Sequence, residues 1–200
     1  SFAAAVTLTA DAAFNTGLGA GDISFSGTIA GAFAPVLDAG IGNITLGSTV
    51  AVNSLTVSGA SITLGGNITT EDTAGNNVIL TATTSLDMGS LTITTNNVTN
   101  DGDVSFIINE LINAGTVDAG GGVFSIRPTV VTSVIEFAPS DSGTAPFNTA
   151  VYYNSGFSGI TAASFTVGGS AHSSNNHLCN NILNSSLPMI YCLKLQALYM

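Results

Sequence analysis

The chain has 200 residues; 45% are hydrophobic, only 7% are charged, and the formal net charge is −10. Arg127 and Lys194 are the only basic side chains. Because nucleic-acid binding requires Lys and Arg to neutralise phosphates, this composition excludes a nucleic-acid partner and disfavours anionic membrane surfaces. High hydrophobicity with little charge is also the reverse of a disordered chain. The polar surface must therefore be built from Thr, Ser and Asn.

The predicted elements are short strands that alternate an aliphatic residue with Thr or another small residue. The first in chain order is Val6-Thr7-Leu8-Thr9, so the strand pattern is already present near the start of the given sequence. No signal peptide is visible there, and no apolar run is long enough to span a membrane. Either the chain is not exported or it begins inside a longer protein, and the strand pattern at its start favours the second, an internal or C-terminal-proximal fragment. The clearest strands lie between Gly42 and Thr94. They are Ile44–Leu46, Leu55–Val57, Ile62–Leu64, Val78–Leu80 and Leu91–Ile93.

A short motif recurs along the chain: Gly or Asn, then Asn, Asp or Gly, then an aliphatic–polar–aliphatic strand. Most copies are about 20 to 26 residues apart, and internal repeats of this length are typical of solenoids. A single unit of this size cannot offset the entropy of ordering its own backbone, so it must stack on its neighbours. The copies begin at Gly21, Gly42, Gly66, Asn76, Gly102 and Gly121.

Short strands in a repeat predict a parallel β-helix and not a sandwich. A sandwich would need longer strands and hairpin turns of the Asn-Gly type. The chain has no Asn-Gly pair, and its one Asp-Gly pair is Asp101-Gly102. In a parallel solenoid equivalent residues stack about 4.8 Å apart, which favours Thr, Ser and Asn over like charges.

The β-helix prediction specifies a core. Eleven aliphatic residues should be almost fully buried, the Thr residues between them (Thr45, Thr56, Thr63 and Thr92) should point outward, and neighbouring strands should be parallel. The predicted core residues are Ile44, Leu46, Leu55, Val57, Ile62, Leu64, Ile68, Val78, Leu80, Leu91 and Ile93.

The chain divides into a β-helix region, residues 1–170, and an atypical tail, residues 171–200. From about 127 to 170 we expect the solenoid to continue with larger loops. The tail has no Gly and contains both His and both Cys residues. We interpret it either as a solenoid cap, with a short helix after Ser186, or as a non-native end from a frameshift or truncated reading frame, and favour the second.

The segments GDISFSGTIAG, NNVILTATTSLDMGSLTITTNNV and VDAGGGVFSIRPT, together with the repeats between Asp38 and Thr70, resemble the repeat region of filamentous-haemagglutinin-type adhesins. The likeness covers about residues 17–170 and includes the FSIRPT element followed by VIEF and by GITAASFTVGG. These adhesins are very large bacterial exoproteins whose repeats form a right-handed parallel β-helix. The resemblance implies that fold, a secreted or outer-membrane-associated location, an outer-membrane secretion partner, and attachment to surface molecules of a host or neighbouring cell.

Candidate chemistry is sparse. Asp101 and Asp103, at i and i+2 on a turn, could meet a hard cation such as Ca²⁺, although Asp in turns usually makes local hydrogen bonds. Glu71-Asp72 is more typical of a solvated loop. The spacing of the four residues His172, His177, Cys179 and Cys192 lacks the paired short knuckles of structural zinc sites, and a Cys179–Cys192 disulfide remains open. We therefore assign no catalytic, cofactor or metal residues.

The sequence thus favours a non-catalytic structural and binding segment of an adhesin, acting as an extended stalk. Two alternatives remain. A polysaccharide-acting β-helix enzyme would need clustered carboxylates in one groove. An ice-binding solenoid would need a regular array of Thr, and Thr7-Leu8-Thr9, Thr81-Ala82-Thr83 and Thr92-Ile93-Thr94 do not recur at one fixed interval.

Overall fold

A computed structural model describes residues 1–113, 115–130, 133–138, 149–153 and 159–168. Every regular element in these ranges is a β-strand, and none of them contains a helix that could cross a membrane. The strands are β1 (Val6–Thr7), β2 (Ala13–Asn15), β3 (Ile23–Phe25), β4 (Ile29–Gly31), β5 (Val36–Asp38), β6 (Ile44–Leu46), β7 (Val50–Val52), β8 (Leu55–Leu64), β9 (Ile68–Thr70), β10 (Val78–Asp87), β11 (Thr92–Thr94), β12 (Val104–Ile108), β13 (Glu110–Leu111), β14 (Thr116–Asp118), β15 (Val123–Arg127), β16 (Val134–Ala138), β17 (Thr149–Tyr153), β18 (Ile160–Thr161) and β19 (Ser164–Val167).

The strands stack into three columns, which we call faces 1, 2 and 3. Face 1 is a seven-stranded sheet in the order β1-β4-β7-β9-β11-β14-β18. Faces 2 and 3 belong to one twelve-stranded sheet, because β8 and β10 run through both. Face 2 contains β2, β5, the first halves of β8 and β10, β12, β15 and β19. Face 3 contains β3, β6, the second halves of β8 and β10, β13, β17 and β16.

All strand pairs of the described part are parallel, and the partners come from different coils. Up to β15, paired residues lie 18 to 26 positions apart, as in Ile44 with Ile62 and Val78 with Val104. No adjacent segments pair as a hairpin in this part of the chain. The prediction of an all-β, parallel solenoid is therefore confirmed, with about five turns, and the sandwich is excluded.

The core is a single apolar column enclosed by the three faces. Ten of the eleven predicted core residues are buried; the prediction was wrong for Leu91, which is only partly buried. Leu91 lies in the corner between Gly89 and β11, where the backbone is bending and strict alternation does not apply. Thr45 and Thr63 are exposed as predicted, and Thr56 and Thr92 are partly exposed. Phe rings stack toward both ends of the described column, for example Phe2 on Phe25 and Phe165 on Phe124.

One boundary prediction was wrong. Leu55–Val57 and Ile62–Leu64 are the two ends of the continuous ten-residue strand β8, and β10 has the same length. The intervening Gly59 does not end the strand. It lies against the carbonyl oxygen of Gly42 in the coil below, where an added Cβ would be 2.9 Å from that atom. From Ala82 to Ser85, β10 has one residue more than the paired segment of β8 from Gly59 to Ser61, and this residue forms a β-bulge.

The recurring motif marks corners and not a fixed face of the coil. Its copies lead into β3 and β6 on face 3, β9 on face 1, and β10, β12 and β15 on face 2. Its glycine is required by close approach between coils and not by a positive φ. A Cβ on Gly102 would lie 2.2 Å from the carbonyl oxygen of Asn76, and one on Gly122 would lie 2.3 Å from that of Gly102. Only glycine lets the coils stack at strand spacing at these corners.

At the C-terminal end, β17, β18 and β19 lie on β13, β14 and β15, and β16 lies on the far side of β17. Residues 171–200 are outside the described residues. The predictions for the tail, its helix, His172, His177, Cys179 and Cys192 therefore stay predictions.

Candidate binding surface

The Asp side chains of the described part form hydrogen bonds with the backbone of the solenoid. All eight accept a hydrogen bond from at least one backbone N–H. Five of them accept it from a residue 20 to 28 positions further along the chain, in the next coil. The other three accept the N–H of the glycine two residues on, which has a positive φ. The residues are Asp11, Asp22, Asp72, Asp101 and Asp103 in the first group, and Asp38, Asp87 and Asp118 in the second.

The structure gives Asp101 and Asp103, the candidate cation ligands, a structural role. Asp101 accepts the N–H of Asn97 at 2.9 Å through one carboxylate oxygen and that of Gly121 at 2.7 Å through the other. Asp103 accepts the N–H of Val123 at 2.8 Å. Among the described residues, no group of three or more His, Cys, Asp or Glu side chains is placed to hold a metal ion. Three of the four carboxylate oxygens therefore have backbone donors, which gives the pair a structural role. Only the bond from Asn97 is local, as the turn interpretation expects; the other two come from the next coil.

Asp72 ties together two long corner loops of successive coils. Its Oδ1 accepts the N–H of Asn100 at 2.8 Å and that of Thr99 at 3.1 Å. The hydrogen bond from the Asn100 backbone, with smaller help from Thr99, lowers the pKa of the Asp72 carboxyl below its ordinary value, although partial desolvation opposes the shift. Because these donors favour the charged form, Asp72 is a carboxylate that stabilises the loop. The Glu71-Asp72 segment is exposed, yet Asp72 has this definite role.

A surface depression at the N-terminal end of the described part contains few side chains that could act in catalysis. Phe2, Phe14 and Ile23 line it together with Asp22. Asp22 is the only carboxylate in that lining, and it accepts the N–H of Asn43 at 2.7 Å. The depression lacks the second carboxylate that a glycosidase-type mechanism uses. No observation in the described part favours the enzyme alternative.

The most regular surface feature is a ladder on face 1. In five successive coils the residue just before the buried aliphatic residue is Thr or Asn, and these residues stack in register. Backbone hydrogen bonds fix this register, for example from Ile29 N–H to the Thr49 carbonyl and from Val50 N–H to the Asn67 carbonyl. We call this set the face 1 ladder; it consists of Thr28, Thr49, Asn67, Thr92 and Thr116.

A second outward column runs beside the ladder, two residues further along each strand. Because residues i and i+2 point to the same side of a strand, the two columns lie about 6.6 Å apart, and successive coils about 4.8 Å apart. Together they form a two-column array that is neutral apart from Asp118. The second column consists of Thr7, Ala30, Ala51, Thr69, Thr94, Asp118 and Thr161.

The three Thr-x-Thr segments found in the sequence do not form one array. Thr7 and Thr94 both belong to the second column of face 1. Thr81 pairs with Ser58 and Ile107 on face 2, and Thr83 lies at the bulge of β10. The face 1 ladder was missed because its members are 18 to 25 residues apart at irregular intervals. The signal that could have found it is position: each member directly precedes the first buried aliphatic residue of its strand.

Neither a protein-family model nor a curated protein nor a solved structure matches this chain. The likeness to filamentous-haemagglutinin-type repeats therefore stays an expectation from the sequence.

Proposed function

We propose that this chain is a non-catalytic structural and binding segment of a large bacterial adhesin that is secreted or displayed at the cell surface. In this proposal it acts as a stalk that holds binding regions away from the outer membrane. Its partners are an outer-membrane secretion protein and surface molecules, either protein or glycan, of a host or neighbouring cell. The right-handed winding implied by the resemblance belongs to the same proposal.

The observation that carries the proposal is the uninterrupted parallel stacking of coils. Each inner strand is paired on both sides, so the coils form one continuous unit and not a chain of separate domains. The seven strands of face 1 alone span about 29 Å at about 4.8 Å per step. Additional coils would extend such a rod by the same step without requiring a new core. This is the mechanical property that a stalk needs.

The surface chemistry is consistent with the proposal. Thr, Ser and Asn supply most polar groups of the faces, and the Asp carboxylates of the described part are bound to backbone amides. Neutral hydroxyl and amide groups can donate to and accept from the hydroxyl groups of glycans. Such a surface can also remain solvated along a long rod without stacking like charges over one another.

Attachment of cells that display the adhesin tests the proposal. Deletion of residues 1–170 should reduce attachment to the target surface. A second variant, Leu46→Asp, keeps the length of the chain but places a charge in the core, and it should reduce attachment similarly. The matched control is Thr45→Ala, on the exposed side of the same strand, which should attach like the unmodified protein. Unchanged attachment after the deletion, with display levels equal, would contradict the adhesin role.

Ice binding is a second candidate, because the face 1 ladder is a specific observation in its favour. A regular neutral array of four hydroxyl groups and one amide is suited to ordering water at an ice surface. Purified protein should then inhibit ice recrystallisation, and Thr49→Lys should abolish the effect because it places a long charged side chain at an exposed position of the ladder. Thr63→Lys, on face 3, is the matched control and should retain it. Absence of inhibition by the unmodified protein would remove this candidate.

A further inference from the structure

The strand order on face 3 departs from the order of the chain. On faces 1 and 2 the last strands, β18 and β19, stack in sequence on β14 and β15. On face 3, β17 lies on β13, and β16, which precedes it in the chain, lies on the outer edge of β17. Both contacts are parallel. β16 therefore extends one strand beyond the coil that contains β17, β18 and β19.

The segment that carries β16 behaves as an insertion of one coil length. From β13 to β17 the partners Glu110 and Val151 are 41 residues apart, whereas the preceding interval on face 2, from Val104 to Phe124, is 20. Residues 128–148 account for the difference of 21. Joining Arg127 to Thr149 would give Val151 the same offset from Glu110 that Phe124 has from Val104. The regular coil thus continues on either side of this segment.

The sequence of β16 has features that natural proteins use at sheet edges. Its central residue is Glu136, and Pro139 follows the strand directly. Charged residues and prolines on an edge strand oppose the addition of another strand. The strand that β16 covers, β17, reads TAVYY and is rich in residues that favour β-structure. Five residues of β17 pair with β16, so its whole outer edge is occupied.

We propose that β16 is a built-in cap that occupies the strand-acceptor edge of β17 and prevents a second copy of this chain from adding there. Without the cap, the outer backbone N–H and C=O groups of β17 have no protein partner, and a strand of another copy can pair with them. The cap thus stops end-to-end association at this corner of the solenoid.

The direct test is the variant that lacks residues 128–148, with Arg127 joined to Thr149. Light scattering across a wide range of concentration should show that it associates to at least a dimer under conditions where the intact chain has a lower mass. A peptide of residues 133–139 added in excess should reverse this association and slow hydrogen exchange in β17. The same peptide with Ile135→Pro and Glu136→Pro should have no effect, because successive N–H groups of a strand point to opposite edges, so one of the two prolines removes a donor to β17.

A folded deletion variant whose mass equals that of the intact chain, and which does not bind the peptide, would overturn the proposal. If the deletion variant fails to fold, the full-length chain with Ile135→Pro and Glu136→Pro provides the same readout, since one of these two neighbouring N–H groups faces β17. It should show faster exchange of the β17 amides and greater association than the intact chain. A control with Thr45→Pro, which damages an inner strand, separates cap release from general loss of stability. If the β16 variant behaves like the intact chain, the cap proposal is wrong.

Discussion

Gly42→Ala tests whether the coils stack as closely as the structure shows. Gly42 lies at the corner between faces 2 and 3, directly over Gly21 of the preceding coil. An added Cβ would be 2.2 Å from the carbonyl oxygen of Gly21 and 2.6 Å from its carbonyl carbon. Both atoms belong to the backbone, so no flexible side chain can move aside. The two coils must separate by about 1 Å to restore ordinary contact distances of about 3.5 Å.

The cost has two parts. Overpacking of this kind destabilises by about 1–3 kcal/mol. The displacement also strains two hydrogen bonds of Gly42, from its N–H to the Ala39 carbonyl at 2.8 Å and from the Ala60 N–H to its carbonyl at 2.7 Å. Each is worth about 1 kcal/mol. We therefore expect Gly42→Ala to lower the free energy of unfolding by about 3–5 kcal/mol.

The matched control is Gly19→Ala, because Gly19 has an ordinary φ and no atom lies within 4 Å of its Cβ position. This change should be neutral or stabilise by up to about 1 kcal/mol. Urea unfolding followed by circular dichroism gives the free energies, and hydrogen exchange of the Ala60 amide reports the local effect. If the two variants differ by less than about 0.5 kcal/mol and Ala60 exchange is unchanged, the close stacking is wrong.

Three further predictions follow from the same structure. Leu64→Ala should lower the free energy of unfolding by about 2–5 kcal/mol, and the neighbouring Thr63→Ala should change it by less than about 0.5 kcal/mol, because only Leu64 faces the core. Equal losses in urea unfolding would contradict this. Asp103→Ala should cost about 1 kcal/mol and Asp103→Asn less, since Asn keeps an acceptor for the amide of the next coil; a larger loss for Asn would reverse the argument. The pKa of Asp72 is lowered in the folded state, so its stabilisation is present above the ordinary value of 3.8 and is lost as the pH falls through the lower folded pKa. The advantage of the native chain over Asp72→Asn should therefore shrink below pH 3.8, and an advantage that grows there would refute the assignment.

The parallel fold was predictable because local and global signals agree along most strands. Ile44-Thr45-Leu46 alternates as a strand with one buried face must, and the scarcity of hairpin turn pairs, with Asp101-Gly102 the only Asp-Gly and no Asn-Gly, favours parallel over antiparallel pairing. The strand boundaries were less predictable. Gly59 looks like a strand breaker in sequence, but it continues β8 because its missing side chain makes room for the coil below. That reason exists only once the coils are stacked.

The roles of the Asp residues could not be predicted without knowing the register between coils. Asp103 directly precedes β12, and its acceptor function depends on Val123, which is 20 residues away. Coil lengths vary from 18 to 26 residues, so no fixed offset identifies such partners. The inverted order of β16 and β17 was hidden for the same reason, because a strand pattern alone does not say which edge it will join.

Disulfide trapping tests the parallel arrangement most directly. In a background with Cys179→Ser and Cys192→Ser, the pair Thr45→Cys and Thr63→Cys should oxidise readily. These residues are register partners on face 3, and neighbouring strands are about 4.8 Å apart, within reach of a disulfide.

The decisive comparison is the pair Thr56→Cys and Thr63→Cys in the same background. Both residues belong to β8, seven positions apart, so they are separated by up to about 23 Å at about 3.3 Å per residue. A hairpin would instead bring them into contact. The solenoid predicts rapid cross-linking of the Thr45 and Thr63 positions and none of the Thr56 and Thr63 positions, and the opposite result would contradict it.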